Sequence, residues 1–394
     1  MSSNADNALS SAGNIAHRRR SMFFLGMAVA GAAVAMALQV GLQSNFAADE
    51  MELTGLQQGL SEAARECCGI SALAVLAILA GLAEPIIAAI MLVLLAIGLS
   101  SYAIVPSFGW MVVASLVWSQ GLHVWMPLPS SMTLALAESG KAGHRLGQIQ
   151  SAGAAGAGIG LVLALALTHW GVHIRPLYAL SGLFALLGAA ACLAIPRQIK
   201  TPGPRLVLRR KYGIFYALNF LEGWRKQIFI AFVGYLLVKQ YHTPLTTMLV
   251  LWIIGQAVGY VLAPRVGKLI DRVGERKSLI FYYACMVLIF LGYALWQDRR
   301  VLFVLFILDN AFFLFTMAFT TYLNRIAPQA EHTASLSMGV AINHIGAVAM
   351  PLVGGLLWNY MGYHWVFAGG AAVAIISAIV SMTLPKHEVK PNAA

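Results

Sequence analysis

The chain has 394 residues, of which 59% are hydrophobic and only 10% charged, and its mean hydropathy is +0.76. A soluble domain carries roughly 25% charged residues, so this composition excludes a globule surrounded by water and points to one solvated by lipid. The formal net charge of +11 would suggest nucleic acid in a soluble protein. Here the bases gather in short loops between apolar runs, as the positive-inside rule describes for polytopic membrane proteins, and no nucleic-acid partner is expected.

The N-terminal stretch "MSSNADNALSSAGNIAHRRR" is polar and ends in Arg18, Arg19 and Arg20. The apolar run behind it is too long for a signal-peptide core, so it reads as a first span whose basic flank holds the N-terminus in the cytoplasm. A helix needs about 20 apolar residues to cross the hydrocarbon core. Twelve such segments follow one another, at 22–44, 57–80, 86–105, 109–135, 147–169, 176–195, 213–238, 246–266, 278–296, 301–323, 335–358 and 363–384. Halfway along, residues 196–212, "PRQIKTPGPRLVLRRKY", form a basic, proline-containing linker.

The expected organisation is therefore a cytoplasmic tail (1–21), a first six-helix bundle (22–195), the linker (196–212), a second six-helix bundle (213–384) and a second cytoplasmic tail (385–394). The charges agree with both ends lying inside. Lys141, Arg145, Arg197, Lys200, Arg205, Arg209, Arg210, Lys211, Arg265, Lys268, Arg272, Arg276, Lys277, Arg325, Lys386 and Lys390 fall on expected cytoplasmic segments, whereas the outer loops hold Asp49, Glu50 and Glu52 with Arg175, Lys239, Arg299 and Arg300 as a minority of bases. The fold class is all-α, polytopic, with twelve transmembrane helices.

Charged residues inside a span are costly, so they face partners, water or a transport path. Span 2 opens with "SEAARECCG", in which Glu62, Arg65, Glu66 and Gly69 follow i, i+3, i+4, i+7 spacing and share one helical face. That face is expected to gate, to carry protons or to make a structural Glu62–Arg65 pair. The adjacent Cys67 and Cys68 point about 100° apart on a helix; with Cys192 and Cys285 they are read as reduced packing residues. In span 7, "NFLEGWRKQIF" places Glu222, Arg225 and Lys226 on one face beside Asn219 and Trp224. Two bases against one acid near the bilayer midplane suit an anionic group on a solute. Gln39 and Gln43 in span 1, His123 in span 4, Asp309 and Asn310 in span 10, and Asn343 with His344 in span 11 complete the intramembrane polar set. A histidine titrates near neutral pH and a desolvated acid can do so too, which makes Glu62, Arg65, Glu66, Glu222, Asp309 and His344 the candidates for proton coupling or gating. The candidates for solute binding are Arg225, Lys226, Glu222, His123, Asp309, Asn310, Gln39, Gln43 and Trp224.

Between spans 8 and 9 the sequence reads "GKLIDRVGERK". Its Gly267, Asp271, Arg272, Gly274, Arg276 and Lys277, placed after the eighth of twelve spans, resemble the loop signature of the major facilitator superfamily. The equivalent loop after span 2, "AGLAEPIIAAI", keeps Gly81 but carries Glu84-Pro85 where the family has an acidic-basic pair. Gly81 and Gly267 are 186 positions apart, and the same offset carries His123 onto Asp309, an internal repeat of the kind transporters show. Spans 5 and 11, "SAGAAGAGIG" and "HIGAVAMPLVGG", are read as close-packing helices rich in small residues. The second also resembles part of the family's glycine-proline motif.

The resemblance implies two pseudo-symmetric bundles around a midplane cavity. Spans 1, 4, 7 and 10 line it, and the span 8–9 loop acts as a conformational switch. It further implies a secondary transporter in the inner (cytoplasmic) membrane, working as a monomer by alternating access. A small anionic or zwitterionic organic solute, coupled to protons, fits the mixed lining. The alternatives are a transition-metal or metal-chelate transporter using His123, Asp309, Glu66 and His344, and a non-transporting assembly factor or sensor. No Walker-type phosphate loop, zinc spacing or nucleophile–base pattern occurs in a soluble segment, so neither an enzyme nor a cofactor is expected.

The topology has a direct test. A single cysteine introduced as Gly203→Cys on a cysteine-free background is expected to react with an impermeant maleimide only after the cells are opened. Labelling in intact cells would reverse the orientation.

Overall fold

In the computed structural model the chain is described over residues 2–79, 81–138, 141–200, 208–328 and 331–385, with side chains from 18 onward except those of 332 and 333. The middle of the linker, with Arg205, and the C-terminal tail, with Lys386 and Lys390, lie outside the described residues. Among the described residues every regular element is helical. In chain order these are α1 Ser2–Asn45, α2 Gly55–Ile78, α3 Glu84–Ser101, α4 Phe108–Trp125, α5 Leu128–Leu136, α6 Ala142–His169 and α7 Ile174–Leu193. Then come α8 Gly213–Ile228, α9 Gly234–Lys239, α10 Leu245–Val273, α11 Glu275–Leu295, α12 Arg299–Phe312, α13 Met317–Ile326, α14 His332–Met361 and α15 Tyr363–Met382.

Among the described residues, ten segments are long and apolar enough to cross a membrane. The remaining two of the expected twelve are α2 and the α8–α9 pair, the helices that carry the charged clusters. Three expected spans are interrupted. Pro127 separates α4 from α5, a π turn at Phe229–Val233 separates α8 from α9, and a 3-10 turn at Phe313–Thr316 separates α12 from α13.

The described chain falls into two compact units, one made of residues 1–42 and 71–203, the other of 43–70 and 204–394. The boundaries fall near the end of α1, within α2 and in the linker. Residues 43–70, which the sequence organisation assigns to the first bundle, make their contacts in the second unit. There the Asn45 amide donates to the Thr243 carbonyl at 3.1 Å, the Gln58 amide donates to the Ala231 carbonyl at 2.9 Å, and the Tyr235 hydroxyl donates to the Leu53 carbonyl. Ala231 belongs to the π turn, whose loosened backbone leaves a carbonyl for Gln58 to satisfy.

Each unit is held by close helix approach. In the first, α3 packs chiefly on α7 and α4. Gly156 and Gly160 of α6 lie against the α1 backbone, where an added Cβ would crowd the carbonyls of Ala30 and Val34. In the second, α11 packs on α15, and α8 on α14. A Cβ at Gly223 would overlap the Asn343 carbonyl, and one at Gly346 would overlap that of Phe220. Gly156 and Gly160 of span 5 and Gly346 of span 11 therefore serve as the packing reading anticipates: without a hydrophobic drive between helices in lipid, small residues let backbones meet.

The "GKLIDRVGERK" segment differs from the loop expected. Gly267, Asp271 and Arg272 are helical, in the last turns of α10. The turn is made at Gly274 alone, at φ +82°, and Arg276 and Lys277 open α11. The helix continues because Val266 and Ile270 are buried while Lys268, Asp271 and Arg272 stay exposed, an amphipathic pattern. Gly81, at φ +91°, thus has its conformational counterpart in Gly274 rather than in Gly267. In the first unit Glu84 is buried and accepts from the Ser131 hydroxyl at 2.7 Å. In the second, Glu275 at the start of α11 pairs with Arg325 at 3.2 Å. The divergent first loop keeps its acid but binds it to a hydroxyl instead of a base.

Gly223→Ala tests this packing. Overlap with fixed backbone costs about 1–3 kcal/mol, so a clear fall in the thermal midpoint of the purified protein is expected. The same change at Gly158, whose added Cβ meets nothing within 4 Å, is expected to leave the midpoint unchanged.

Candidate functional site

The second unit contains a chain of buried charged and polar side chains, and its centre is Arg225. The i, i+3 spacing on α8 brings Arg225 to Glu222, with Nε 2.9 Å and Nη2 2.8 Å from Oε1. From α12, Asp309 meets the other edge of the guanidinium, Oδ1 lying 3.0 Å from Nη1. The Tyr282 ring of α11 and the Phe313 ring cover its faces at 5.6 and 5.4 Å. Glu222 also accepts from the hydroxyls of Tyr282, at 3.1 Å, and Tyr283, at 3.2 Å. Arg225 and Asp309 are each 1% exposed and Glu222 3%. One guanidinium therefore faces two carboxylates without water. Asp309 Oδ2 has no hydrogen-bond partner among the described residues.

A second cluster stands on α2. Arg65 bonds Glu62 through Nε at 3.1 Å and reaches Glu66 at 3.2 Å. Glu62 also accepts from the Gln43 amide and, at 3.3 Å, from the Gln227 amide of α8. The Nδ1 of His344 on α14 lies 3.0 Å from Glu66 Oε2, and Gly69, one turn beyond Glu66, leaves the room the imidazole occupies. All three charged side chains of α2 are buried. The face expected from their spacing is thus formed, with the Glu62–Arg65 pair made inside it. Cys67 is exposed and Cys68 buried, and neither is in a disulfide.

The two bases of α8 end in different surroundings. Arg225 is enclosed and its ion pairs are complete. Lys226 is half-buried and donates to the Asn343 side-chain carbonyl at 3.0 Å, while the Asn343 amide donates to the Asn219 carbonyl at 3.0 Å. The excess positive charge read on one face of span 7 therefore resides on Lys226. Trp224 is half-buried and packs on Phe220. Asn310 is half-buried and bonds the Phe306 carbonyl. In the first unit, His123 is half-buried with Nδ1 2.8 Å from the Ser119 carbonyl, Gln39 is buried in α1, and the Ser71 hydroxyl donates to Gln120 at 2.6 Å. Of the four residues named for a metal, Glu66 and His344 touch, whereas Asp309 is committed to Arg225.

Tyr282, Tyr283, Gln227 and Ser71 were not singled out by sequence. The adjacent tyrosines of "FYYACM" carried a usable signal, since two hydroxyls inside an apolar run need partners. Outside the spans, acids bind the basic segments. The Tyr212 hydroxyl and Lys211 hold the Glu331 carboxyl below its usual range. Two bonds from Arg145 hold Glu138 down to about 2.

A sequence-family profile described as Major Facilitator Superfamily matches residues 21–333 and 215–394. Among solved structures, the chain is similar to the nucleoside transporter NupG. A point mutant of that protein is 14% identical and superposes with a TM-score of 0.78, over 92% of this chain and 98% of that one. It is also similar to a bacterial homologue of the human lysosomal transporter Spinster, in an inward-facing, occupied conformation. That structure is 11% identical, with a TM-score of 0.71, over 93% and 96% of the two chains. Among curated proteins, no sequence matches.

Removing one partner of a buried ion pair costs about 3–5 kcal/mol, because the other charge is left uncompensated. Arg225→Ala is therefore expected to lower the thermal midpoint strongly or to prevent accumulation of folded protein. The triple change Arg225→Met, Glu222→Gln, Asp309→Asn, which removes all three charges together, is expected to recover most of the loss. Equal midpoints for wild type and Arg225→Ala would contradict the arrangement.

Proposed function

Because the chain belongs to the major facilitator superfamily and is a multi-pass secondary transporter, not an enzyme, we infer that it moves a small anionic or zwitterionic organic solute by alternating access, driven by protons. We place both termini in the cytoplasm and the protein in the inner membrane as a monomer. The observation that carries the proton reading is the charge balance around Arg225. Glu222 receives three side chains as donors, which suits an ionised carboxylate. Asp309 receives one donor on Oδ1 and none on Oδ2. With both acids ionised, the enclosed triad would carry an uncompensated negative charge in a low-dielectric site, at a cost of several kcal/mol. A proton on Asp309 removes that charge. Its loss or gain then changes how firmly α12 is bound to α8, which links protonation to helix movement.

Support for an anionic group on the solute comes from Lys226. It is the half-buried cation of α8, with the amide of Asn343 and the indole of Trp224 also half-buried on neighbouring surfaces. Arg225, closed by its partners, positions α8 and does not touch the solute. This moves the expected contact by one residue from the bidentate arginine to a point-charge lysine, which discriminates less by shape.

Flux in proteoliposomes tests the reading, with a panel of labelled carboxylates, organic phosphates and amino acids as solutes. For whichever is transported, Lys226→Gln is expected to weaken binding about tenfold or more, the loss of one hydrogen bond to a charged group. Asp309→Asn is expected to keep solute counterflow but to lose accumulation driven by a pH gradient. Accumulation by Asp309→Asn at the wild-type rate under a pH gradient would remove Asp309 as the carrier. Full affinity in Lys226→Gln would remove the lysine as the contact.

A further inference from the structure

The first unit carries a cavity of about 630 Å³ between the middle of α1 and the N-terminal part of α6, and none of its lining residues is among those assigned to transport. Its lining changes character along α1. At one end stands Arg19, exposed and without a hydrogen-bond or ion-pair partner among the described residues. Beyond it come Phe23, Met27 and Ala30 on the same helical face. On the α6 side Arg145 and Gln148 lie level with the charged end, but Arg145 is neutralised by Glu138, with bonds of 2.9 and 2.6 Å, and gives its remaining edge to Gln148 at 2.9 Å. The unbalanced charge of the groove is thus that of Arg19.

We propose that this groove holds one anionic phospholipid, its phosphate on Arg19 and an acyl chain along Phe23, Met27 and Ala30. Three features fit a lipid better than a free anion. From Arg19 to Ala30 the helix rises eleven residues, about 16 Å at 1.5 Å each, and one leaflet is half of a ~30 Å hydrocarbon core. The groove is open along its flank, Phe23 being 65% and Met27 48% exposed, so a lipid enters sideways from the bilayer. Its single unbalanced charge sits at the end where the basic run Arg18–Arg20 meets the apolar helix, at headgroup level, where basic pockets between transmembrane helices bind anionic headgroups. A lipid there covers the α1–α6 contact that Gly156 and Gly160 make possible.

The test uses the full-length protein in mild detergent, mixed with equal amounts of phosphatidylglycerol and phosphatidylcholine of the same acyl chains. Retained lipid is read by native mass spectrometry, and a third arm adds inorganic phosphate. Wild type is expected to retain phosphatidylglycerol in preference. Arg19→Gln is expected to cut that preference about fivefold, the worth of one base near a headgroup. Arg20→Gln is expected to leave it unchanged, because Arg20 lies over the Phe24 ring at 5.7 Å and is not part of the lining. Gly26→Leu fills the groove, since a Cβ there has 3.9 Å of clearance to Ile149 and Ala152; it is expected to lower retention of both lipids. Equal retention of the two lipids by wild type would overturn the proposal, as would equal loss of preference in Arg19→Gln and Arg20→Gln. Displacement of the lipid by phosphate alone would identify a free-anion site and overturn it as well.

Discussion

An arginine closed off from water has to be neutralised where it lies, and much of the second unit is arranged around that requirement. Arg225 reaches one acid on its own helix and another on α12, and the tyrosines of α11 complete the shell around Glu222. Three helices that have no strong reason to associate in lipid are thereby fixed in register. The cost of burying these ions is recovered only if every partner is in place, so the network resists small displacements. A change in the charge of one member alters the balance for all of them.

The α2 cluster works on a similar principle with different partners. Glu62 is held by a base, an amide from span 1 and an amide from α8, and Glu66 by Arg65 and His344. The residues 43–70 make their contacts in the second unit through these bonds and through glycine contacts such as Gly59 with Pro351 and Gly355. Polar bonds set which helices meet, and small residues set how near they come. Neither alone would suffice in a solvent as apolar as the side chains themselves.

Most of the fold was legible because lipid imposes simple rules. Span length follows from hydrophobic thickness, and ten of the expected spans are long, apolar helices among the described residues; the family match agrees with the expected fold class. The breaks inside spans were less visible. Pro127 is an explicit signal, but the π turn at Phe229–Val233 arises from tertiary bonds that no local pattern records. The charged faces of α2 and α8 followed from i, i+3, i+4 spacing. Which base of α8 is enclosed did not, since Arg225 and Lys226 are adjacent, and only the approach of Asp309 from 84 residues away decides between them. Gly267, in the segment read as a loop between spans 8 and 9, is helical for a related reason: a glycine can sit in a helix when its neighbours Val266 and Ile270 have a surface to bury against.

The central claim is that the enclosed Glu222–Arg225–Asp309 triad holds one proton, on Asp309. Infrared difference spectroscopy of the purified protein observes this directly through the carbonyl stretch of a protonated carboxylic acid. At neutral pH the account predicts such a band in the wild type and its disappearance in Asp309→Asn; it disappears in Glu222→Gln as well, because Asp309 then ionises as the remaining counter-ion of Arg225. A wild-type spectrum without the band, or a band that survives Asp309→Asn, would contradict it.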